Sequence, residues 1–166
     1  MKYKNWLIVS LLATFIMITG CGKKEVKPVA IEEKNDKCTV CNMSVTNNQF
    51  ATEVILDNGK AVKFADIGCM YNWMDSHKDN KLQARFVRDY NSKEWTELEK
   101  ATFVYDKTIR TPMAYNVISF QNKGDAEKFL SQNKGEMLTA KDLENHKWEP
   151  NKEMADELGI STHHSH

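Results

Sequence analysis

Several absences narrow this 166-residue chain before any motif is read. It carries no excess of charge, with 23 Lys and Arg against 23 Asp and Glu. A nucleic-acid partner wants a basic face, so none is expected. No apolar run reaches the ~20 residues that a membrane-spanning helix needs. No Ser, His and Asp grouping, paired carboxylates or Gly-rich phosphate loop stands out, so hydrolase and nucleotide-binding readings have no support. What is present is sulfur, in 4 cysteines and 8 methionines.

The N-terminus reads as a leader. Lys2 and Lys4 precede an almost unbroken apolar run from Leu7 to Ile18, the pattern of an export signal. The run ends in Ile18-Thr19-Gly20-Cys21, which resembles the bacterial lipobox, where the leader is cut before a lipid-modified cysteine. The plainer alternative is an ordinary signal peptide with a chance cysteine. Residues 1–20 are therefore read as a lipoprotein signal peptide, with Cys21 acylated and holding the chain on a bilayer. The expected location is a membrane-anchored lipoprotein facing the periplasm or cell exterior. Loss of Lys2 and Lys4 with the leader leaves 21 basic against 23 acidic residues. Residues 21–37 then form the lipidated cysteine and a flexible tether. From Gly22 to Asp36 the chain is Lys- and Glu-rich and shows no apolar period, and it can span at most ~50 Å at ~3.3 Å per residue.

Three thiols remain: Cys38, Cys41 and Cys69. Outside the cytoplasm thiols tend to be oxidised unless a metal or reductant protects them, and three cannot all pair within one chain. The stretch Cys38-Thr39-Val40-Cys41-Asn42-Met43 sets two thiols and a thioether within six residues. Such soft donors select soft ions, Cu(I) above all. Half of a structural zinc site and a small disulfide compete with that reading. Cys41 is favoured as a copper ligand because Met43 adds a thioether, for which zinc has little use. Cys38 reads as a second thiolate, a redox partner or a structural neighbour. Cys69 lies at a helix start, where a thiol has a lowered pKa, yet a buried free cysteine is also common. His77 reads as a surface residue. His163, His164 and His166 end the chain and can capture copper weakly, although a disordered end is the commoner case.

The pattern of apolar residues predicts an α+β fold built from two small tandem units. Val54 and Leu56 alternate, Asn58-Gly59 signals a tight hairpin, and Val62 and Phe64 return. Asp66 takes the N-cap position of a helix with Ile67, Met70, Tyr71 and Met74 on one face, ending near Ser76 to Asn80. Leu82, Ala84 and Phe86 alternate next. The order strand, strand, helix, strand recurs in Ala101 to Tyr105, Val117 to Phe120, a helix capped by Asp125 and stopped by Gly135, and Met137 to Thr139. The expected divisions are 38–93 for the first ββαβ unit, 94–145 for the second, and 146–166 for a polar tail with a His-rich end and one short helix from Lys152 to Leu158.

Taken in order, these features resemble the NosL family, the copper-binding lipoproteins that accompany nitrous oxide reductase. The residues that carry the resemblance are the lipobox, Cys-x-x-Cys-x-Met, Phe64-Ala65-Asp66-Ile67-Gly68-Cys69-Met70, Thr111-Pro112-Met113-Ala114 and Asp125 to Leu130. The resemblance implies paired ββαβ units related to the organomercurial lyase fold and a bound Cu(I). It also implies copper delivery to apo nitrous oxide reductase, helped by a membrane copper-site assembly transporter complex, by a protein that is not an enzyme. It carries the ligand role to Cys41, Met43 and Met113. The family usually has Gly where this chain has Asn42 and Ala114. Asn tolerates a left-handed backbone, whereas Ala does not adopt one cheaply. A thiol oxidoreductase using Cys38 and Cys41, and a zinc module closed by Cys38, Cys41, Cys69 and His77, are the alternatives.

Overall fold

The Asn-Gly hairpin forms where the sequence puts it: β1 (Thr52–Leu56) and β2 (Ala61–Phe64) pair antiparallel, with Gly59 at φ 82 in the turn. A computed structural model describes residues 25–160, and in it this hairpin forms half of a four-stranded antiparallel sheet. Strand β3 (Leu82–Arg88) lies on the other side of β1, and β4 (Trp95–Glu97) adds to β3, giving the order β2-β1-β3-β4. A second, three-stranded sheet has the order β6-β5-β7, from β5 (Thr102–Tyr105), β6 (Val117–Phe120) and β7 (Glu136–Thr139).

Helix α1 (Ile67–Ser76) links β2 to β3 and starts at Asp66, whose side chain accepts the Gly68 N–H, as the sequence predicted. Its first turn is buried on all sides because it lies between the two sheets, where Val54, Phe64 and Val87 from the first and Phe103, Tyr115 and Val117 from the second half share one core with Met70 and Trp73. Burial of each large apolar side chain here is worth roughly 1.5–3 kcal/mol. Helix α2 (Lys123–Gln132) covers the far face of the second sheet, over Val104, Ile118 and Phe120. Two short helices, α3 (Ala140–Leu143) and α4 (Lys152–Glu157), follow, and Gly159 stops the latter at φ 65. Among the described residues no helix is long and apolar enough to cross a membrane.

Four expectations are corrected. The cap of α2 is Asn122, one turn earlier than Asp125, which sits within the first turn instead. The boundary drawn at residue 94 divides a sheet, since β4 belongs to the first one. The segment read as tether up to residue 37 docks from Val29 onward: the Val29 N–H donates to Glu53 Oε1 at 2.7 Å, and Lys63 Nζ reaches both the Ala30 carbonyl and Asp36, each at 2.6 Å. The 146–166 tail is polar in sequence, yet Trp148 stacks on Tyr71 with ring centroids 4.4 Å apart, and Met154 and Ala155 are buried against Ala114. In both docked segments a few apolar or hydrogen-bonding groups outweigh an otherwise solvated composition. The leader, Cys21 and the histidines at 163, 164 and 166 lie outside the described residues.

Candidate metal centre

Residues 38–43 form a closed loop. The Cys38 N–H donates to the Met43 carbonyl at 2.8 Å and the Asn42 N–H to the Cys38 carbonyl at 2.9 Å, while Lys37 and Ser44 form a β-bridge below. Such a tight reversal needs one left-handed residue, and Asn42 supplies it at φ 60. The turn brings the Cys41 side chain back toward that of Cys38. Cys69 arrives from the first turn of α1, held by the Asp66 cap.

The result is that the sulfurs of Cys38, Cys41 and Cys69 lie within 4.8 Å of one another. No disulfide joins them. Cys38 is 1 % exposed and Cys69 0 %, whereas Cys41 is half-buried and connects the group to solvent. The three do not hold their protons alike. S–H donation from Cys41 and Cys69, with backbone N–H groups of Cys41 and Ala65 also aimed at the sulfur, holds the Cys38 thiol well below its ordinary range despite burial. Donation to Cys38 pushes Cys41 up to about 11, with burial adding to the rise and the Met43 N–H opposing it. Contacts with Cys38 and Cys41, then burial and the nearby charges of Cys38 and Asp66, push Cys69 upward as well. The group as a whole thus sheds its first proton more readily than an isolated cysteine and holds the others more tightly.

The methionines take different positions. Met43 stands on the outer lip of the loop, 42 % exposed. Met113 is buried in the core that also contains Cys38 and Cys69, with Cys41 packed against it. Its turn repeats the left-handed device of the first loop: Ala114 has φ 57 and Asn116 φ 63. The cost of Ala in that conformation, about 1–2 kcal/mol, is offset in part because its buried methyl packs on Met154 and Ala155. His77 is exposed; its ring stacks on Trp73 and its Nδ1 lies 2.9 Å from the Trp73 carbonyl, away from the thiols. It is no part of the three-sulfur group. A surface cavity of about 610 Å³ beside the loop is lined by Lys37, Thr39, Trp73 and His77 and by none of the cysteines.

The sequence did not single out Asp66 beyond its capping role, although it is 1 % exposed and stands beside this group. Besides capping α1 it accepts the Met113 N–H at 2.9 Å. A capping acid three residues before a cysteine was the only available signal.

These features define a small α+β domain with a buried set of three thiols able to hold a metal ion, open to solvent through one of them. The chain belongs to the NosL family, whose model matches residues 28–148. Among solved structures it is similar to the copper chaperone NosL from Shewanella denitrificans, at 20 % identity and TM-score 0.58, covering 68 % of this chain and 92 % of that one. That likeness shows the fold. No curated protein matches the chain.

Proposed function

We propose that this protein carries Cu(I) as cargo, bound by the thiolates of Cys38, Cys41 and Cys69 with thioether help from Met43 at the lip and from Met113 of the second half. The observation that carries the reading is the close approach of three sulfurs of which one faces solvent. Soft thiolates and thioethers select a monovalent d¹⁰ ion. A half-buried Cys41 open to solvent lets an acceptor ligand enter before the last protein bond breaks, which suits transfer and not storage. The family relationship and the copper chaperone with this fold support the same reading. Within it, each half would correspond to a ββαβ unit of the lyase-like kind, Cys21 would hold the acylated chain at the membrane facing the periplasm or exterior, and the acceptor would be apo nitrous oxide reductase, approached with the membrane copper-site assembly transporter complex. The His163, His164 and His166 tail would at most collect copper weakly.

A competition titration with a chromogenic Cu(I) chelator tests the cargo. Near one equivalent should bind, and Cys41→Ser should weaken binding by more than the ~10–100-fold that loss of an outer-shell partner costs. Unchanged affinity in that variant removes the assignment. Delivery is tested separately by copper content of the reductase matured with and without this chain.

The second reading is a structural zinc module, favoured only by the three-cysteine count. It requires the apo domain to unfold, so a retained near-UV circular dichroism spectrum in excess chelator excludes it.

A further inference from the structure

Met113 and Cys69 belong to different halves of the molecule, and one carboxylate joins them. Asp66 Oδ1 accepts the Gly68 N–H at 3.1 Å, which fixes the helix start that presents Cys69. Its Oδ2 accepts the Met113 N–H at 2.9 Å, and the Thr111 hydroxyl stands beside the carboxylate. The contacts around this point are equally specific. Any Cβ at Gly68 would lie 2.0 Å from Tyr115 Cγ, so glycine is what lets the second half lie flat on the helix. Asn72 Nδ2 donates to the Tyr115 hydroxyl at 2.7 Å one turn further on. The turn held by Asp66 contains two left-handed residues that are not glycine, a conformation that persists only where surrounding contacts impose it.

We infer that Asp66 is a positioning residue for the cargo: it latches the Met113 turn of the second half onto the thiol-bearing helix of the first, so the thioether side of the site depends on that single buried carboxylate. The inference rests on the proposed Cu(I) reading. A fully buried carboxylate satisfied by two backbone N–H groups from opposite halves does more than cap a helix, because a cap needs only one of its oxygens.

Asp66→Asn separates the two roles. Its carbonyl oxygen keeps the Gly68 cap, while the amide nitrogen replaces Oδ2 and faces the Met113 N–H donor to donor. Cu(I) affinity in chelator competition should fall about 10–100-fold, as for loss of an outer-shell partner, and copper X-ray absorption should count one sulfur fewer. In a Met113→Ala background the same substitution should cost nothing further, because the ligand it positions is gone. Thr111→Val, which removes a hydroxyl beside Asp66 and with it the acceptor of the Asn116 N–H at 3.2 Å in the same turn, should give a smaller loss with the same dependence on Met113, and it serves if Asp66→Asn fails to fold. An equal loss in the Met113→Ala background, or an unchanged sulfur count in Asp66→Asn or Thr111→Val, overturns the latch. If Met113→Ala alone leaves affinity intact while Cys41→Ser abolishes it, the latch is wrong and the carrier survives. If Cys41→Ser is also silent, the carrier reading itself fails.

Discussion

Loading of Cu(I) should release two protons, and the count follows from how the three thiols share their charge. Cys38 is held well below the ordinary thiol range, because it accepts S–H groups from both neighbours. Cys41, held up to about 11, and Cys69, raised above its ordinary range, both keep their protons. A three-thiolate complex must expel both. Each proton lost makes affinity rise tenfold per pH unit while the pH stays below the group's apo value, so two give about 100-fold, or roughly 2.7 kcal/mol per unit. The sign is fixed: rising pH favours binding between about pH 6 and 9, a window below both raised values. Chelator competition at several pH values, corrected for protonation of the chelator, reads the slope directly. Cys69→Ser should lower it from two to one. A slope of zero, or a slope unaffected by Cys69→Ser, refutes the shared-proton arrangement and removes Cys69 from the ligand set.

Gly68→Ala should destabilise the fold by about 1–3 kcal/mol or more, since a Cβ 2.0 Å from Tyr115 Cγ forces the halves apart; a wild-type midpoint in urea would show that the interface yields freely. Asp89→Ala should cost roughly 3 kcal/mol, because this carboxylate accepts the Asn91 and Ser92 N–H groups and, from the second sheet's side, the Gln121 N–H at 2.8 Å; a loss below about 0.5 kcal/mol would refute its bridging role. Burial alone would raise the Asp89 value, but the N–H donors from Ser92 and Gln121 outweigh it and hold it low. Its contribution is therefore present above the ordinary Asp range and lost as pH falls through the lowered value, visible in denaturation midpoints between about pH 5 and 2. Glu53 works in the opposite direction: burial raises its value, against the Val29 N–H, so stability should fall as pH rises through it, and Glu53→Gln should flatten that dependence.

Some of this molecule could be read without coordinates because the signals are local. The Asn58-Gly59 hairpin, the Asp66 cap and the helix from Ile67 depend on turn chemistry and on periods set by neighbouring residues. The Cys38-to-Met43 loop is equally local, and Asn42 adopts the left-handed turn its side chain tolerates. Polar segments misled for a corresponding reason: Val29 to Asp36 and the region around Trp148 and Met154 lack an apolar period, and only partners distant in the chain reveal what they cover. Sequence by itself determined the donor chemistry, two thiols and a thioether in six residues with a third thiol at a helix start. Tertiary structure decided that Cys69 joins Cys38 and Cys41 within 4.8 Å, that Met113 is buried in the same core and that Asp66 binds the halves together. Those distances arise from docking two sheets around α1, and no spacing along the chain encodes how close residues 41 and 69, or 66 and 113, come once that core has formed.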